Sequence, residues 1–466
     1  MNISLILIAF IIVLIPWLTA NRVGTIRYFS PLHIVAYLVF FGVLLKTVWF
    51  YFLDGALFYE HFIHDDRHVY LGYVYMFGFI VFLCAGYVFA TPKKLKISTS
   101  VERTQAVLQV QNLKLLAAIA FGVTALVLTY QLATRDLGGL SSAFSLETID
   151  ALNSNRILRI EGETEFGSSG AAIKVLFVIP MVTMMVLLYR QQVTGKVGAM
   201  LAALLALQFY LILTQGSRFA LVTTVITILM STILLGKRLS GRQMSLAVFA
   251  AVLALALFVM MTTLRMSRES TTDLKFDIQP AVEQIFGSTY FLDINAPILV
   301  IAFSEEEDRF YGLSYTYWTY AWVPRAFWPD KPAVTLGPYM KREILGVKNS
   351  IGGVNPTGPG EAFINFGWFG MIVGLVLGAL YRGLEIVTLS SKGVRRRAGL
   401  FLYPVVVVPF IIATLQSSFS GAVVSTVATG LLAFVTIKIA SRAPKKTGRP
   451  RKVQTRPYLP FGNTRA

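Results

Sequence analysis

Three arginines border apolar runs of the sequence and are candidates for binding an anion. Arg218 begins one apolar run, whereas Arg265 and Arg268 follow directly after another. A guanidinium group keeps its charge at physiological pH and donates through a planar fork that suits phosphate oxygens. If the three side chains converge, they predict a site for a phosphate or pyrophosphate group. Arginines beside apolar runs also reach lipid phosphates, so the alternative stays open.

A polar segment in the second half of the chain carries further candidates. Prolines fix much of the backbone over 323–332, so Arg325 and Lys331 are expected to be held in a rigid loop. The rings of Trp322 and Trp328 can stack on sugar rings or can lie in the aromatic belt at a membrane surface. The sequence leaves both interpretations open.

Glu361 is the candidate for a general base. It follows Gly358-Pro-Gly360 and is predicted to begin an apolar helix, where the positive end of the helix dipole favours an ionised carboxylate. Such a carboxylate can accept the proton of a hydroxyl nucleophile. An acid that only begins a helix is the alternative interpretation.

Arg156 and Arg159 are three residues apart and therefore share one face of a predicted short helix. Leu146, Ile149 and Leu152 recur at helical spacing in the same segment. Such a helix lies on the membrane surface, or it presents both guanidinium groups to an anion.

Membrane helices must position all of these residues. The 466 residues are 55% hydrophobic and 14% charged, with a mean hydropathy of +0.64, which is typical of a polytopic membrane protein. We predict an all-α fold with about 11 transmembrane helices (10–12) and two large outer loops that contain short amphipathic helices. The predicted spans are 1–20, 31–53, 70–90, 112–131, 171–189, 197–214, 218–236, 243–264, 363–381, 398–416 and 420–440.

Basic residues gather in alternate loops. The loops at 21–30, 91–114, 190–196, 237–242, 382–397 and 438–466 hold 26 Lys and Arg but 2 Asp and Glu. The positive-inside rule places these loops in the cytoplasm, with the N-terminus outside and the C-terminus inside. The net charge of +18 then reflects membrane topology, and we expect no nucleic-acid partner.

This topology divides the chain into six parts. They are helices over 1–131, an outer loop at 132–170, helices over 171–264, a large outer loop at 265–362 in which we expect the chemistry, helices over 363–440 and a basic cytoplasmic tail at 441–466. The stretch from Ile285 to Phe303 is partly apolar but contains Asp293 and Asn295. A crossing there would place the basic run 395–397 outside, so we expect a re-entrant or interfacial segment.

Motifs for nucleotides and cofactors are absent from the sequence. It has no Walker loop, no dinucleotide fingerprint and no nucleophile elbow. His61, His64 and His68 lie close together in the chain but lack the spacing of a zinc site. We therefore expect neither a cofactor nor a metal.

Three short blocks resemble bacterial oligosaccharide repeat-unit polymerases, the Wzy-type O-antigen and exopolysaccharide polymerases. The blocks are Gln215-Gly-Ser-Arg-Phe-Ala220, Pro324-Arg-Ala-Phe-Trp-Pro-Asp-Lys-Pro332 and Pro356-Thr-Gly-Pro-Gly-Glu-Ala-Phe-Ile-Asn-Phe-Gly-Trp-Phe-Gly370. The plan of many spans with large outer loops is also similar. The resemblance implies a glycosyltransferase C-like architecture in the bacterial cytoplasmic membrane.

The same resemblance implies a substrate and roles for the candidates. An oligosaccharide on undecaprenyl pyrophosphate would be transferred to the sugar of a fresh lipid-linked repeat unit, with membrane lipids, a chain-length regulator and a flippase as partners. Arg218, Arg265, Arg268 and Arg325 would bind the pyrophosphate and stabilise its developing charge. Glu361 would accept the proton of the acceptor hydroxyl.

Two other functions are weighed against the polymerase. The first is an O-antigen ligase or another lipid-linked-sugar glycosyltransferase that uses Asp65 and Asp66 as its acid pair. The second is a flippase or transporter of lipid-linked oligosaccharide, which is not an enzyme. Transporters usually carry polar groups at the membrane midplane, whereas Lys46, Gln208 and a few hydroxyls are the polar groups within the predicted spans.

Overall fold

A computed structural model of the chain describes most of the predicted membrane helices and parts of the second outer loop. The described residues are 2–53, 55–93, 105–108, 110–133, 176, 178–215, 224–230, 234, 283, 286, 291–304, 309–323, 327–328, 330–347, 353–390 and 399–441. Within these ranges the fold is built from helices, and no β-strand occurs.

The described α-helices are numbered here in chain order. They are α1 (Asn2–Val23), α2 (Pro31–Val39), α3 (Leu45–Phe52), α4 (Asp66–Phe89), α5 (Leu113–Ala133), α6 (Val178–Thr194), α7 (Gly198–Gln215), α8 (Asn295–Phe303), α9 (Thr357–Phe366), α10 (Met371–Leu389), α11 (Val408–Gln416) and α12 (Phe419–Ala440). A π-helical turn, Phe40–Leu44, joins α2 to α3, and a 3-10 turn, Gly367–Gly370, joins α9 to α10. Two more 3-10 helices cover Phe58–His61 and Leu313–Thr319. Further helical pieces include Gly337–Tyr339, Met340–Ile344, Tyr403–Val407 and the short stretches 105–108, 224–230 and 399–402.

Seven helices of the described part are long and apolar enough to cross a membrane, and each overlaps a predicted span. They are Ile3–Val23, Pro31–Phe52, Asp66–Phe89, Leu113–Tyr130, Thr357–Leu389, Gly399–Gln416 and Phe419–Ala440. The predicted spans at 171–189 and 197–214 correspond to helices α6 and α7. The predicted spans at 218–236 and 243–264 lie largely outside the described residues. A polytopic helical membrane protein is confirmed.

The ninth predicted span is longer than expected. The prediction was 363–381, whereas the structure has an apolar helical stretch over Thr357–Leu389, interrupted by the 3-10 turn. Arg382 and Glu385, which the prediction placed in a cytoplasmic loop, lie inside α10 and pair with each other at 2.7 Å. The helix therefore continues past the point where hydropathy falls, with its two charges paired.

Helices α4 and α10 pack closely through two glycines one turn apart on α10. A Cβ at Gly374 would stand 2.5 Å from the carbonyl oxygen of Phe79, and a Cβ at Gly378 would collide with the Leu83 carbonyl. Glycine is required at both positions because the backbones themselves are in contact.

A buried polar cluster connects three chain segments at the end of α10. Glu385 accepts hydrogen bonds from the Tyr87 hydroxyl and from the Thr25 backbone N–H (3.1 Å). Arg382 Nη1 donates to Thr25 Oγ1 (2.8 Å) and to Tyr87 Oη (3.0 Å). The loop at 21–30, the end of α4 and the end of α10 therefore lie together, which agrees with the prediction that the three share one side of the membrane.

Helix α8 is the described part of the segment predicted to be re-entrant. Its nine residues span about 14 Å, roughly half of the hydrocarbon thickness of a bilayer. All residues from Asn295 to Val300 are buried. A buried helix of this length agrees with a segment that enters the membrane without crossing it.

Candidate active site

Glu361 is the buried acid of the candidate site. It lies in the second turn of α9 with 1% of its surface exposed. The Ser314 hydroxyl donates to Oε1 (2.9 Å), and the Phe419 backbone N–H donates to Oε2 (2.7 Å). Phe419 is the first residue of α12, so the carboxylate sits at the positive end of the α12 dipole. The expectation that Glu361 begins its own helix is wrong, and the favourable dipole comes from a different helix.

The segment 309–314, called the outer strap here, holds Ser314 over Glu361. Three of its donors reach three consecutive carbonyls at the end of α9. The pairs are Arg309 Nη1 to Phe363 (3.2 Å), Phe310 N to Ile364 (3.3 Å) and Tyr311 N to Asn365 (3.1 Å). The last carbonyls of an α-helix lack partners within the helix, and the outer strap supplies them. The position of Ser314 is therefore set by backbone pairing and not by its side chain alone.

Asn365 completes the hydrogen-bond network one turn after Glu361. Its Nδ2 donates to Ser314 Oγ (2.7 Å) and to the Glu361 carbonyl (2.8 Å), and its Oδ1 accepts from the Gly312 N–H (3.0 Å). The Ser314 hydroxyl thus accepts from Asn365 and donates its single hydrogen to the Glu361 carboxylate. Buried polar groups arranged in this way are fully satisfied and hold one geometry.

Two buried hydroxyls beside Glu361 have no hydrogen-bond partner in the described part of the protein. They are Thr357 Oγ1, one turn before Glu361 on α9, and Ser418 Oγ, at the N-cap of α12. Thr357 also has a φ of 62°, a left-handed conformation that β-branched residues rarely adopt. Both hydroxyls are able to bond a water or a hydroxylated ligand near the carboxylate.

The segment 320–332, called the aromatic loop here, follows the outer strap in the chain and carries three of the predicted binding residues. Lys331 Nζ donates to the carbonyls of Ala321 (3.1 Å) and Val323 (2.9 Å), which closes the loop on itself. The rings of Tyr320 and Trp328 pack with centroids 5.6 Å apart. Trp322 and Trp328 are exposed, so both rings are accessible to a ligand or to lipid.

An apolar groove of about 510 Å³ adjoins the buried carboxylate. Its lining is entirely hydrophobic and aromatic, and comprises Tyr315, Phe366, Phe369, Ile372, Val373, Val376, Leu377 and Phe419. Tyr315 follows Ser314 in the chain, and Phe419 donates to Glu361 through its backbone. The groove therefore runs from the polar network along the α10 face and suits a hydrocarbon chain.

Tyr315 lies between the groove and the carboxylate. Burial of the phenol and the charge of the nearby Glu361 raise the pKa of Tyr315 well above its usual range. Its ring stacks on Phe366 with centroids 6.2 Å apart. Tyr315 consequently keeps its hydroxyl proton and acts as a neutral wall of the site.

Four of the ten predicted site residues lie in the described part of the structure. Glu361, Trp322, Trp328 and Lys331 are described, and the outer strap joins the segment that bears the last three to Glu361. The remaining predicted residues, Arg156, Arg159, Arg218, Arg265, Arg268 and Arg325, lie outside the described residues.

Sequence reasoning missed Ser314, Asn365 and Arg309. Asn365 had a usable signal, because Glu361 and Asn365 are four residues apart and share a helix face. Ser314 is 47 residues from Glu361 in the chain and had no periodic signal. The Arg309 guanidinium lies over the Phe363 ring, 5.3 Å from its centroid. The two residues are 54 positions apart, so only the fold reveals their contact.

Asp65, one member of the acid pair considered for a different glycosyltransferase, caps a helix. Asp65 is the N-cap of α4 and accepts from the Arg67 backbone N–H at 2.9 Å. Across the described residues, no group of three or more His, Cys, Asp or Glu side chains could hold a metal ion.

The described arrangement combines a desolvated carboxylate, two donors fixed on it, two spare hydroxyls and an adjoining apolar groove. Such a set can orient a hydroxyl near the carboxylate while an attached hydrocarbon chain lies in the groove. No family model, curated protein or solved structure matches the chain.

Proposed function

We propose that this protein is a membrane glycosyltransferase that polymerises undecaprenyl-pyrophosphate-linked oligosaccharide repeat units into O-antigen or exopolysaccharide. The reaction would take place at the outer face of the bacterial cytoplasmic membrane. The observation that carries the proposal is that Phe419, whose backbone N–H donates to the buried Glu361, also lines a wholly apolar groove. A substrate with a long hydrocarbon tail and a hydroxylated head requires both surfaces side by side.

The proposed reaction assigns one proton transfer to this network. A hydroxyl of the acceptor sugar attacks the anomeric carbon of the donor chain, and Glu361 takes the hydroxyl proton. The bond from that carbon to the lipid pyrophosphate breaks, and its electron pair leaves with the pyrophosphate. Arg218, Arg265, Arg268 and Arg325 remain the proposed donors to that leaving group.

The exposed aromatic loop supports a role with sugars. Trp322 and Trp328 offer ring faces next to the outer strap, and Lys331 fixes the loop that carries them. Aromatic faces pack on the apolar face of sugar rings. The growing oligosaccharide would extend over this loop, away from the apolar groove.

The test is turnover of purified protein in detergent with lipid-linked repeat units, read as polymer length on a gel. Glu361→Gln keeps the size of the side chain and should lower the rate about 10²- to 10⁴-fold, as expected for loss of a general base. Glu343→Gln is the matched control, because Glu343 is an exposed acid of the same outer loop. Equal rates for the two variants would refute the role of Glu361.

The proposed pyrophosphate donors need a separate arm of the experiment. Arg218→Gln or Arg265→Gln should abolish polymer while the protein still inserts and single lipid-linked repeats accumulate. Unchanged polymer length in both variants would refute the assignment of these arginines.

A transporter of lipid-linked oligosaccharide is the second candidate function. It is favoured by the short buried helix α8 and by a buried ion pair between Lys46 and Asp293. Broken helices and intramembrane charges are typical of transporters. Polymer formation in detergent, where no second compartment exists, would exclude transport as the sole function. Movement of the lipid across sealed vesicles without polymer would favour it.

A further inference from the structure

A second buried charge pair lies where a transmembrane helix is irregular. Lys46 Nζ contacts Asp293 Oδ2 at 2.8 Å, and both side chains are 0% exposed. Lys46 is the second residue of α3, directly after the π turn Phe40–Leu44. Ion pairs inside a membrane are costly, so they are rarely kept without a function.

The pair fixes the start of α8 through several polar contacts. Asp293 Oδ1 accepts from the backbone N–H of Asn295 (3.0 Å) and from its Nδ2 (2.8 Å). The Gly42 carbonyl of the π turn accepts from the Ile294 N–H (3.1 Å). Asn295 Oδ1 in turn accepts from the Tyr59 N–H (3.1 Å). The start of α8 is thus held both by the span 31–52 and by the outer turn that follows it.

Helix α8 in turn supports the helix that carries Glu361. A Cβ at Gly360 would stand 3.6 Å from Val300 Cγ2 and 3.8 Å from the Ala296 carbonyl carbon, so α8 lies directly against α9. The outer strap begins six residues after the end of α8. The location of α8 therefore bears on the α9 backbone directly before Glu361.

We infer that Lys46 and Asp293 are positioning residues for the reaction at Glu361. Their ion pair locks α8 at one depth and rotation, and α8 holds α9 so that Glu361 meets Ser314. Neither residue touches the substrate. The inference rests on the proposed glycosyl transfer, because it assigns the pair a role in that chemistry.

A role of the ion pair in stability alone and a role in positioning α8 predict different behaviour for a variant in which both Lys46 and Asp293 are neutral. Loss of one partner leaves the other charge buried and destabilises the fold, whereas replacement of both by neutral groups of similar size is often tolerated. If the pair serves only stability, Lys46→Met with Asp293→Asn should restore folding and turnover together. If the pair positions α8, the double variant folds but α8 is no longer locked, and kcat stays low with little change in KM.

The experiment measures a distance as well as a rate. Spin labels at Phe303→Cys and Phe369→Cys, in a Cys84→Ala background, report how the end of α8 lies relative to the start of α10; both sites are exposed. The parent should give one narrow distance distribution by pulsed electron paramagnetic resonance. Arg382→Met with Glu385→Gln is the matched control, because it neutralises a buried pair at the other end of α10.

We expect the Lys46 and Asp293 double variant, without labels, to lose about a hundredfold in kcat, the cost of a misplacement near 1 Å. The spin-labelled form of this double variant should show a shifted or broadened distance distribution. The spin-labelled Arg382→Met, Glu385→Gln control should keep the distance distribution of the parent. An unchanged distance, or parental kcat in a double variant whose distance has changed, would overturn the inference.

Two further readouts keep the test decisive. If the double variant does not fold, Asn295→Ala replaces it, because it removes contacts to Asp293 and Tyr59 while the ion pair stays intact. An unchanged distance and kcat in that variant would overturn the inference. If the parent makes no polymer, the proposed function fails on its own, and a distance that still responds to the double variant shows that the lock on α8 stands apart from that failure.

Discussion

The buried pair of Arg382 and Glu385 offers a quantitative test of how this fold accommodates charge in a membrane helix. Glu385 accepts from Arg382 Nη1 (2.7 Å), from the Tyr87 hydroxyl and from the Thr25 N–H (3.1 Å). Both charged side chains are at most 2% exposed. Glu385→Gln removes the negative charge but retains a carbonyl oxygen, so the main loss is the compensation of Arg382.

The size of the loss in stability follows from the buried charge that remains after one partner is removed. An uncompensated buried charge costs about 3–5 kcal/mol, so Glu385→Gln and Arg382→Met should each lower the free energy of unfolding by that amount. The double variant leaves no charge to compensate and should lose less than either single variant. A double-mutant cycle therefore predicts a coupling energy of about 3 kcal/mol or more between the two residues.

The assay is equilibrium unfolding in mixed micelles, driven by adding a denaturing detergent. The unfolded fraction is measured by steric trapping or by the loss of helix contacts. Lys438→Met is a suitable control, because it removes one positive charge at the end of α12, far along the chain from the cluster. If the two single substitutions prove additive in the double variant, the pair is not coupled and the account of charge compensation within α10 is refuted.

Three further predictions concern other parts of the molecule. Gly378→Leu should push α10 away from the Leu83 carbonyl and lower the free energy of unfolding by about 1–3 kcal/mol, measured by the same unfolding assay, whereas Gly383→Leu, with open space around it, should cost much less. Lys331→Met should free the aromatic loop, which is expected to appear as faster proteolysis within 320–332 and as altered tryptophan emission, with no change in overall helix content by circular dichroism. Burial raises the pKa of Tyr320 to about 12, whereas the unfolded value is near 10. The stability that Tyr320 contributes is therefore complete below pH 10 and is lost as the pH rises from about 10 to 12. Tyr320→Phe should flatten the pH dependence of the free energy of unfolding in that window.

Hydropathy and charge predicted the helices well because each membrane helix must be apolar along its own length and must pair its own backbone groups. An apolar run such as Phe419–Ala440 has to satisfy its backbone internally, so its length and limits are visible in the local sequence. The same reasoning stopped too early at residue 381, because it scored Arg382 and Glu385 separately. Their spacing of three residues was a local signal of pairing that hydropathy does not contain.

The polar contacts of the site were beyond sequence reasoning for a different reason. Ser314 and Glu361 meet because backbone N–H groups of the outer strap bond the carbonyls of Ile364 and Asn365 at the end of α9. That pairing joins segments about fifty residues apart. The Lys46 and Asp293 contact spans 247 positions of the chain. Composition and periodicity describe neighbours within a few turns, so they predicted Glu361 as a candidate without its partners.

Among the described residues, three buried acids share a structural context that bears on function. Each carboxylate lies beside an irregularity in the backbone: Asp293 against the π turn that follows α2, Glu361 two turns before the 3-10 break after α9 and at the start of α12, and Glu385 against the turn that follows α1. Irregular backbone leaves N–H groups without helical partners, and Glu361 and Glu385 each accept one of them, from Phe419 and Thr25. Asp293 instead accepts the Asn295 N–H at the start of α8. Glu361 differs from the other two because the described contacts give it no cationic partner, only a hydroxyl and an amide donor. A carboxylate held only by neutral donors keeps more of its basicity than one in an ion pair. The acid best suited to exchange a proton is therefore the one beside the apolar groove, whereas the paired acids are suited to hold helices in place.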